Sequence, residues 1–184
     1  MSELRTEKIP GGCRSPVFTS ARNEKKLCAT LEKAGPAVYL PLRRHVNIRS
    51  VIGKGKNCRY RRTLHVPMFP GHLFANVTPG PCSEPRCNRS AIRILEIRKP
   101  QKEVLINELK LIRELEEFSE AEKIKVLEGL QRGRQVKFTG GSFAGWNGAV
   151  LSVDGKDGMV SVNISSIDIS VLIKYPVVRC AICD

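Results

Sequence analysis

The sequence predicts an α+β domain, an antiparallel sheet with helices, followed by a small all-β barrel. Three observations carry that prediction. Residues 63–77 alternate apolar and polar side chains on both sides of Phe69-Pro70-Gly71, the period of half-buried strands around a turn. Leu105, Leu109, Ile112, Leu115 and Phe118 recur every three or four residues, the stripe of an amphipathic helix. A glycine-rich stretch, Gly140 to Gly148, lies between alternating segments rich in Val and Ile, as the close strand crossings of a small barrel require.

Taken in order, residues 1–14 contain Gly11-Gly12 and scattered charges and read as a flexible leader. Val17-Phe18-Thr19 is a short strand. Asn23 caps a helix carrying Leu27, Leu31 and Ala34, with Gly35 and Pro36 as stop signals. Ala37 to Leu42 reads as a strand. From Arg43 to Arg62 there are eight basic residues and no acidic one: Arg43, Arg44, Arg49, Lys54, Lys56, Arg59, Arg61 and Arg62. The bland reading is a solvated surface loop. The functional reading is a hairpin or loop that contacts phosphate, with binding that weakens steeply as salt rises.

At the centre, Phe69-Pro70-Gly71 reads as a type II turn, with Pro fixing φ and Gly free to take a positive φ. The flanking Thr63–Val66 and His72–Val77 read as the two strands of a hairpin, its aromatics either ordinary core or a small apolar docking surface. A loop rich in Pro and Gly follows at 78–85, and Ala91 to Ile97 is the last strand of the sheet. The striped helix then covers that sheet. Ser119-Glu120-Ala121-Glu122 has the form of a capping box and predicts a short acidic helix to Leu130. The predicted organisation is a leader over 1–14, an N-terminal domain over 15–118, a linker helix over 119–130 and a barrel domain over 131–184. Within the last, Asp154-Gly155 and Asp157-Gly158 mark a hairpin. Its many glycines and β-branched runs predict that residues 131–175 fold alone as strands and do not switch to helix.

The totals narrow the function. A net charge of +13 in 184 residues points to polyanionic partners. Residues 1–100 carry 20 Lys/Arg against 6 Asp/Glu, so nearly all of the excess lies in the first half. No apolar run is long enough for a membrane span, and residues 1–16 lack the apolar core of a signal peptide, which predicts a cytoplasmic protein. Seven irregularly spaced cysteines suit a reducing compartment. Cys180-Ala181-Ile182-Cys183 and the pair Cys82 and Cys87 fall in different predicted domains, so no metal site is expected. His45, His65 and His72 have no partner at a catalytic spacing, and no phosphate-binding glycine motif is present. The sequence predicts no enzyme and no cofactor.

Two motifs resemble known families. Val38-Tyr39-Leu40-Pro41-Leu42, a basic stretch, and Met68-Phe69-Pro70-Gly71-His72-Leu73-Phe74 resemble the N-terminal (NGN) domain of NusG-type transcription elongation factors, whose pattern is near "YLPL … FPGYLF". His72 stands where tyrosine is usual, and Ser15-Pro16-Val17-Phe18 where the opening strand usually begins with Trp-Tyr. Gly133 to Val150 resembles a KOW motif, near "GdxVxVxxGpFxGxxGxV", with Ser142 in place of the usual proline. Together the resemblances cover about residues 16–175 and imply an NGN-like sandwich followed by an SH3-like KOW barrel.

The resemblance also implies a role. The N-terminal domain would dock on RNA polymerase through Phe18, Tyr39, Pro41, Phe69, Pro70, His72 and Phe74. The basic segment would lie beside DNA of the transcription bubble or nascent RNA. The KOW turn (Gly141, Phe143, Gly145, Trp146 and Gly148) would belong to a barrel that recruits termination factor Rho or the small ribosomal subunit. The implied function is a factor that modulates pausing, termination or antitermination. The departures in the opening strand and the long basic segment suggest a specialised paralogue acting on particular operons. The alternative is a ribosome-associated or RNA-binding KOW protein.

Overall fold

The computed structural model describes residues 15–53, 56–77, 90–95, 97, 99–129 and 132–182. Its first part is a four-stranded antiparallel sheet built from β1 (Ser15–Thr19), β2 (Val38–Tyr39), β5 (His72–Ala75) and β6 (Ala91–Ile94), in the order β2-β5-β1-β6. Helix α1 (Glu24–Ala34) follows β1 and ends at Gly35 in the left-handed conformation, φ 103°. Asn23 holds the N-cap position, but its side chain donates to Ser20 Oγ at 2.6 Å instead of capping. Strand alternation divides the sheet's residues between two faces. Val17, Val38, Leu73 and Ala75 form one core with Leu27 and Leu31 of α1. Tyr39 and Phe74 belong to the other, with Met68 and Phe69.

Between β2 and β5 the chain leaves the sheet as a long ribbon. Strands β3 (Leu42–Gly53) and β4 (Lys56–Pro67) pair antiparallel from Leu42↔Pro67 to Gly53↔Lys56. The basic stretch is therefore a hairpin. The predicted strand over Ala37–Leu42 is interrupted at Pro41, which has no amide to donate; its carbonyl instead accepts from Met68 N at 2.8 Å.

The hairpin predicted around Phe69-Pro70-Gly71 does not form. Strand β4 pairs with β3, whereas β5 pairs with β1 and β2. The turn is held from outside: Thr19 N donates to Gly71 O at 2.9 Å, and Glu24 Oε1 accepts from Gly71 N at 2.6 Å. Those anchors direct β5 into the sheet.

Helix α2 (Lys99–Ala121) carries the predicted stripe. Leu105, Leu109, Ile112 and Leu115 are buried, and Phe118 is half-buried. The helix predicted to begin at the Ser119 capping box is absent. Residues 119–121 are the last turn of α2, where Ser119 Oγ donates back to Glu116 O at 2.7 Å. In place of the linker helix, Lys125–Glu128 is a strand, β7, paired with residues 169–172. Lys125-Val126-Leu127-Glu128 has little intrinsic strand signal. The strand forms because an edge is available to it, a tertiary override of local propensity.

The remaining strands are β8 (Arg134–Phe138), β9 (Asn147–Asp154), β10 (Asp157–Ile164), β11 (Ile169–Pro176) and β12 (Cys180–Ile182). With β7 they make a six-stranded antiparallel sheet, order β12-β8-β9-β10-β11-β7. Phe138, Phe143 and Tyr175 meet at its centre with ring centroids 5.0–5.8 Å apart. A Cβ on Gly148 would lie 3.0 Å from both Phe138 and Val160, so any larger residue would press on two packed core side chains where β9 crosses. The predicted Asp-Gly hairpin is present, with Asp154 opposite Asp157 and Gly155 at φ 63°. Helix α2 also touches this unit. Phe118 meets Phe143 edge-on at 5.2 Å, and Glu108 accepts from Ser165 N at 2.7 Å and Ser166 N at 3.1 Å.

Candidate docking face and basic hairpin

The residues that the family pattern marks for docking come together around one face of the first sheet, but not at one depth. In the central turn Gly71 takes φ 78° and His72 N donates to Phe69 O at 3.2 Å, as a type II turn requires. A Cβ on Gly71 would lie 2.9 Å from Thr19 O. Phe69 and Phe74 are fully buried, and Tyr39 and Pro41 are buried with them. Tyr39 stacks on Phe74 at 6.2 Å, and its hydroxyl donates to Glu116 Oε2 at 2.6 Å. The other oxygen of Glu116 accepts from Leu42 N at 2.5 Å. One carboxylate of α2 thus ties down the strand end and the aromatic pair.

Phe18, Pro70 and His72 remain accessible. Phe18 and His72 are half-buried, pair across β1 and β5, and meet edge-on at 4.8 Å. On the far side of β1, Arg93 pairs with Phe18 and sets its guanidinium carbon 5.9 Å from the ring centroid, a cation–π distance. His72 Nδ1 lies 2.7 Å from Pro70 O. Burial pushes the His72 imidazole below its ordinary pKa of 6.5; the bond to Pro70 and the charges of Glu24 and Glu128 oppose that shift without cancelling it. The neutral ring is therefore favoured, giving a face of aromatic, neutral imidazole and guanidinium.

Along the hairpin, Arg43 and Arg44 sit half-buried at the root, while Arg61 and Arg62 are exposed. Arg61 lies opposite Ile48 and Arg62 opposite Asn47, so successive arginines lie on opposite faces of the ribbon. Arg44 Nη1 donates to Glu120 O, and His65 Nε2 lies 3.0 Å from Glu120 Oε1. Arg49, Lys56 and Arg59 lie on the paired backbone. Lys54 lies outside the described residues.

In the six-stranded sheet, Phe143 is fully buried, Gly148 is buried and Trp146 is half-buried. Gly141 and Gly145 both take positive φ, 78° and 89°. Hydrogen bonds Gly145 N to Phe138 O, 2.8 Å, and Phe138 N to Trp146 O, 2.9 Å, close the turn. These residues fix the loop's shape; the aromatic that belongs to the core is Phe143. Cys180 lies on β12 and burial pushes its thiol up, the opposite of what a reactive cysteine needs. Cys82, Cys87 and Cys183 lie outside the described residues.

Sequence reasoning missed Glu24, Arg93, Glu108 and Glu116. Glu24 and Arg93 carry no sequence signal, because their partners are distant in the chain. Glu108 and Glu116 do carry one. Each sits beside an apolar stripe position of α2, where a carboxylate in an otherwise buried band marks a polar tie.

No family model matches this chain, and no curated protein matches it. Among solved structures it is similar to NusG of Thermotoga maritima, with TM-score 0.49 and 16% identity over 95% of this chain and 100% of that one. It is also similar to a chain of the MjSpt4:Spt5 complex, with TM-score 0.24 and 16% identity over 92% and 96%. Likenesses of that strength carry no argument about what the chain does, and its own residues have to supply one.

Proposed function

We propose that this chain is a non-enzymatic, cofactor-free transcription elongation factor of the NusG type, which binds RNA polymerase and modulates pausing, termination or antitermination. The observation that supports it most is the convergence of the family-pattern residues. Tyr39, Pro41, Phe69, Phe74, Phe18 and His72 come from separate strands and turns and gather around one sheet face, next to the root of a basic hairpin. In this reading the buried members build the face from beneath. Phe18, Pro70, His72 and Arg93 make the contact. A basic hairpin beside that contact would reach nucleic acid through phosphate and without base readout. The factor would act by mass action, preferring the active polymerase conformation and drawing it away from paused states. The domains are an NGN-like domain from Ser15 to the end of α2 and a KOW barrel that includes β7; residues 1–14, expected to be a leader, lie outside the described residues. The barrel would take a further partner such as Rho or the small ribosomal subunit, and the setting would be the cytoplasm.

Binding of the full chain to core RNA polymerase tests this. Phe18→Ala with His72→Ala should weaken it by about 2–4 kcal/mol if both are interface anchors, with the circular dichroism spectrum unchanged. Wild-type affinity in that folded variant overturns the docking claim. Binding to ribosomal subunits in place of polymerase would favour the alternative, a ribosome-associated KOW protein.

A further inference from the structure

The chain between β1 and α1 holds Gly71, in the central turn of the docking face, from both sides. Thr19, the last residue of β1, donates its N–H to Gly71 O at 2.9 Å, and Glu24, the first residue of α1, accepts from Gly71 N at 2.6 Å. Only four residues separate the two grips, so the chain must reverse sharply between them. It does so through Arg22, a non-glycine residue at φ 74°, a left-handed conformation with a steric cost for any residue that has a Cβ. Asn23 holds the N-cap position without capping α1, its side chain turned to Ser20 Oγ. Glu24 itself is only 3% exposed, which is rare for a carboxylate. In the first turn of a helix a carboxylate already complements the macrodipole while it stays in water. Burying it against an amide of another element adds a desolvation cost that α1 does not require. A strained residue and a buried carboxylate thus converge on one peptide unit, and strain of that kind points to a constraint beyond local folding.

We propose that Glu24 is a positioning residue for the docking face, a role that rests on reading that face as the polymerase contact. Its carboxylate holds the Pro70-Gly71-His72 backbone in the conformation that presents Pro70 and His72 to the partner, and it touches no partner itself. The turn closes through His72 N and Phe69 O, which leaves the Gly71 amide without a partner inside the turn. Glu24 supplies that acceptor. Gly71 is buried, whereas Pro70 is exposed and His72 half-buried, so one bond to the residue between them fixes both neighbours. The His72 ring is then set by short contacts, with Nδ1 2.7 Å from Pro70 O and the ring edge-on to Phe18 at 4.8 Å. Without the carboxylate the Gly71 amide loses this acceptor, and the backbone freedom of glycine lets the turn sample other conformations. Affinity then falls with the fraction of molecules that hold the binding geometry.

Binding of the full chain to core RNA polymerase, measured by biolayer interferometry and corrected for the folded fraction, tests the role. Glu24→Ala should weaken it about five- to tenfold, near the lower end of what a hydrogen bond to a charged group contributes. Glu24→Gln, whose amide oxygen can still accept from Gly71 N, should stay within about twofold of the wild type. In a His72→Ala background, Glu24→Ala should cost less than about twofold more, because its effect passes through His72. Hydrogen exchange at the Gly71 amide is a readout that needs no polymerase; it should quicken about tenfold or more in Glu24→Ala and hardly change in Glu24→Gln. Should Glu24→Ala misfold by circular dichroism, Glu24→Asp, which withdraws the oxygens by one methylene, should show the same losses in smaller measure. Wild-type affinity in a folded Glu24→Ala or Glu24→Asp protein, or an equal loss with and without His72, overturns the positioning role and leaves Glu24 a carboxylate that merely satisfies a buried amide. A wild-type chain that does not bind polymerase overturns the docking reading instead. The grip is then judged by exchange alone: quickened exchange in Glu24→Ala supports Glu24 as the residue that sets the turn, and unchanged exchange overturns it.

Discussion

Glu108→Ala should loosen the seam between α2 and the second sheet. The Glu108 carboxylate is only 7% exposed and accepts from two successive amides, Ser165 N at 2.7 Å and Ser166 N at 3.1 Å. Hydrogen bonds to a charged group are worth about 1.5–3 kcal/mol each. The two are not independent, and exposed Ser165 can rehydrate once its partner is gone, so the expected loss is about 2–3 kcal/mol, below the simple sum of roughly 3–6 kcal/mol. For a chain of this size that is a fall in Tm of about 4–12 °C. Glu108→Gln retains an acceptor oxygen without the charge and should recover part of the loss. Urea unfolding supplies the magnitude, and amide chemical shifts at residues 165–167 show where it acts. If Glu108→Ala unfolds within about 0.5 kcal/mol of the wild type, a difference ordinary for a surface site, the fork is incidental and the seam rests on the apolar cluster that α2 shares with the second sheet, Phe118 against Phe143 included.

Three further outcomes follow from local geometry. Gly71→Ala should cost about 2–3 kcal/mol, since it adds an approach of 2.9 Å to Thr19 O to a left-handed φ, whereas Gly145→Ala, at φ 89° with open space, should cost only the backbone term of about 1 kcal/mol; equal values by urea titration would refute the account of the turn. His72 favours its neutral form when folded, so its contribution to stability is full above pH 6.5 and is lost as the pH falls below that value, because the unfolded chain takes up the proton first; His72→Phe should flatten the stability–pH slope in that range, and an unchanged slope would count against it. A fragment of residues 122–184, which keeps β7, should fold as a β-barrel and be more stable than residues 131–184 by about 2 kcal/mol, given the half-burial of Val126 and Leu127; equal urea midpoints would show that β7 adds nothing.

What was legible in the sequence is what is decided locally. The Gly35 stop, the Asp154–Asp157 hairpin, the stripe of α2 and the type II turn at Gly71 each depend on a few neighbouring residues, and each is present. Strand partnership is not local. Thr63–Val66 and His72–Val77 look like the two arms of one hairpin, but β4 pairs with β3 and β5 with β1 and β2, while Gly71 is tied to Thr19 and Glu24. The capping-box pattern at Ser119 failed for a similar reason. That hydroxyl is buried at the end of α2 and bonds back to Glu116, so it cannot start a new helix. Strand β7 was invisible because its four residues acquire strand character from the edge of β11. As for the site, the pattern identified which side chains gather but not how deeply each lies, since hydropathy does not say which apolar residue is left at the rim.

That difference in depth decides how the docking face can be tested. Phe69 and Phe74 dominate the family pattern, and alanine substitution of both looks like the natural experiment. Both are fully buried, and truncating a buried Phe costs about 3–5 kcal/mol through lost transfer energy and the cavity left behind. The pair together would remove about 6–10 kcal/mol, against a total stability of about 5–15 kcal/mol for an ordinary domain. Such a variant would be largely unfolded, and its failure to bind polymerase would say nothing about contact. Phe18 and His72 are different: half-buried, paired across two strands, and backed by Arg93. Their loss opens no closed cavity. Conservative changes underneath should leave binding intact if the face works as proposed. Phe74→Leu, which keeps most of the volume beside Tyr39, should cost at most about 1–2 kcal/mol of stability and leave polymerase affinity within twofold or so of the wild type. A folded Phe74→Leu protein that loses binding, beside a Phe18→Ala protein that keeps it, would place the contact at the covered aromatics and require α2 to move aside.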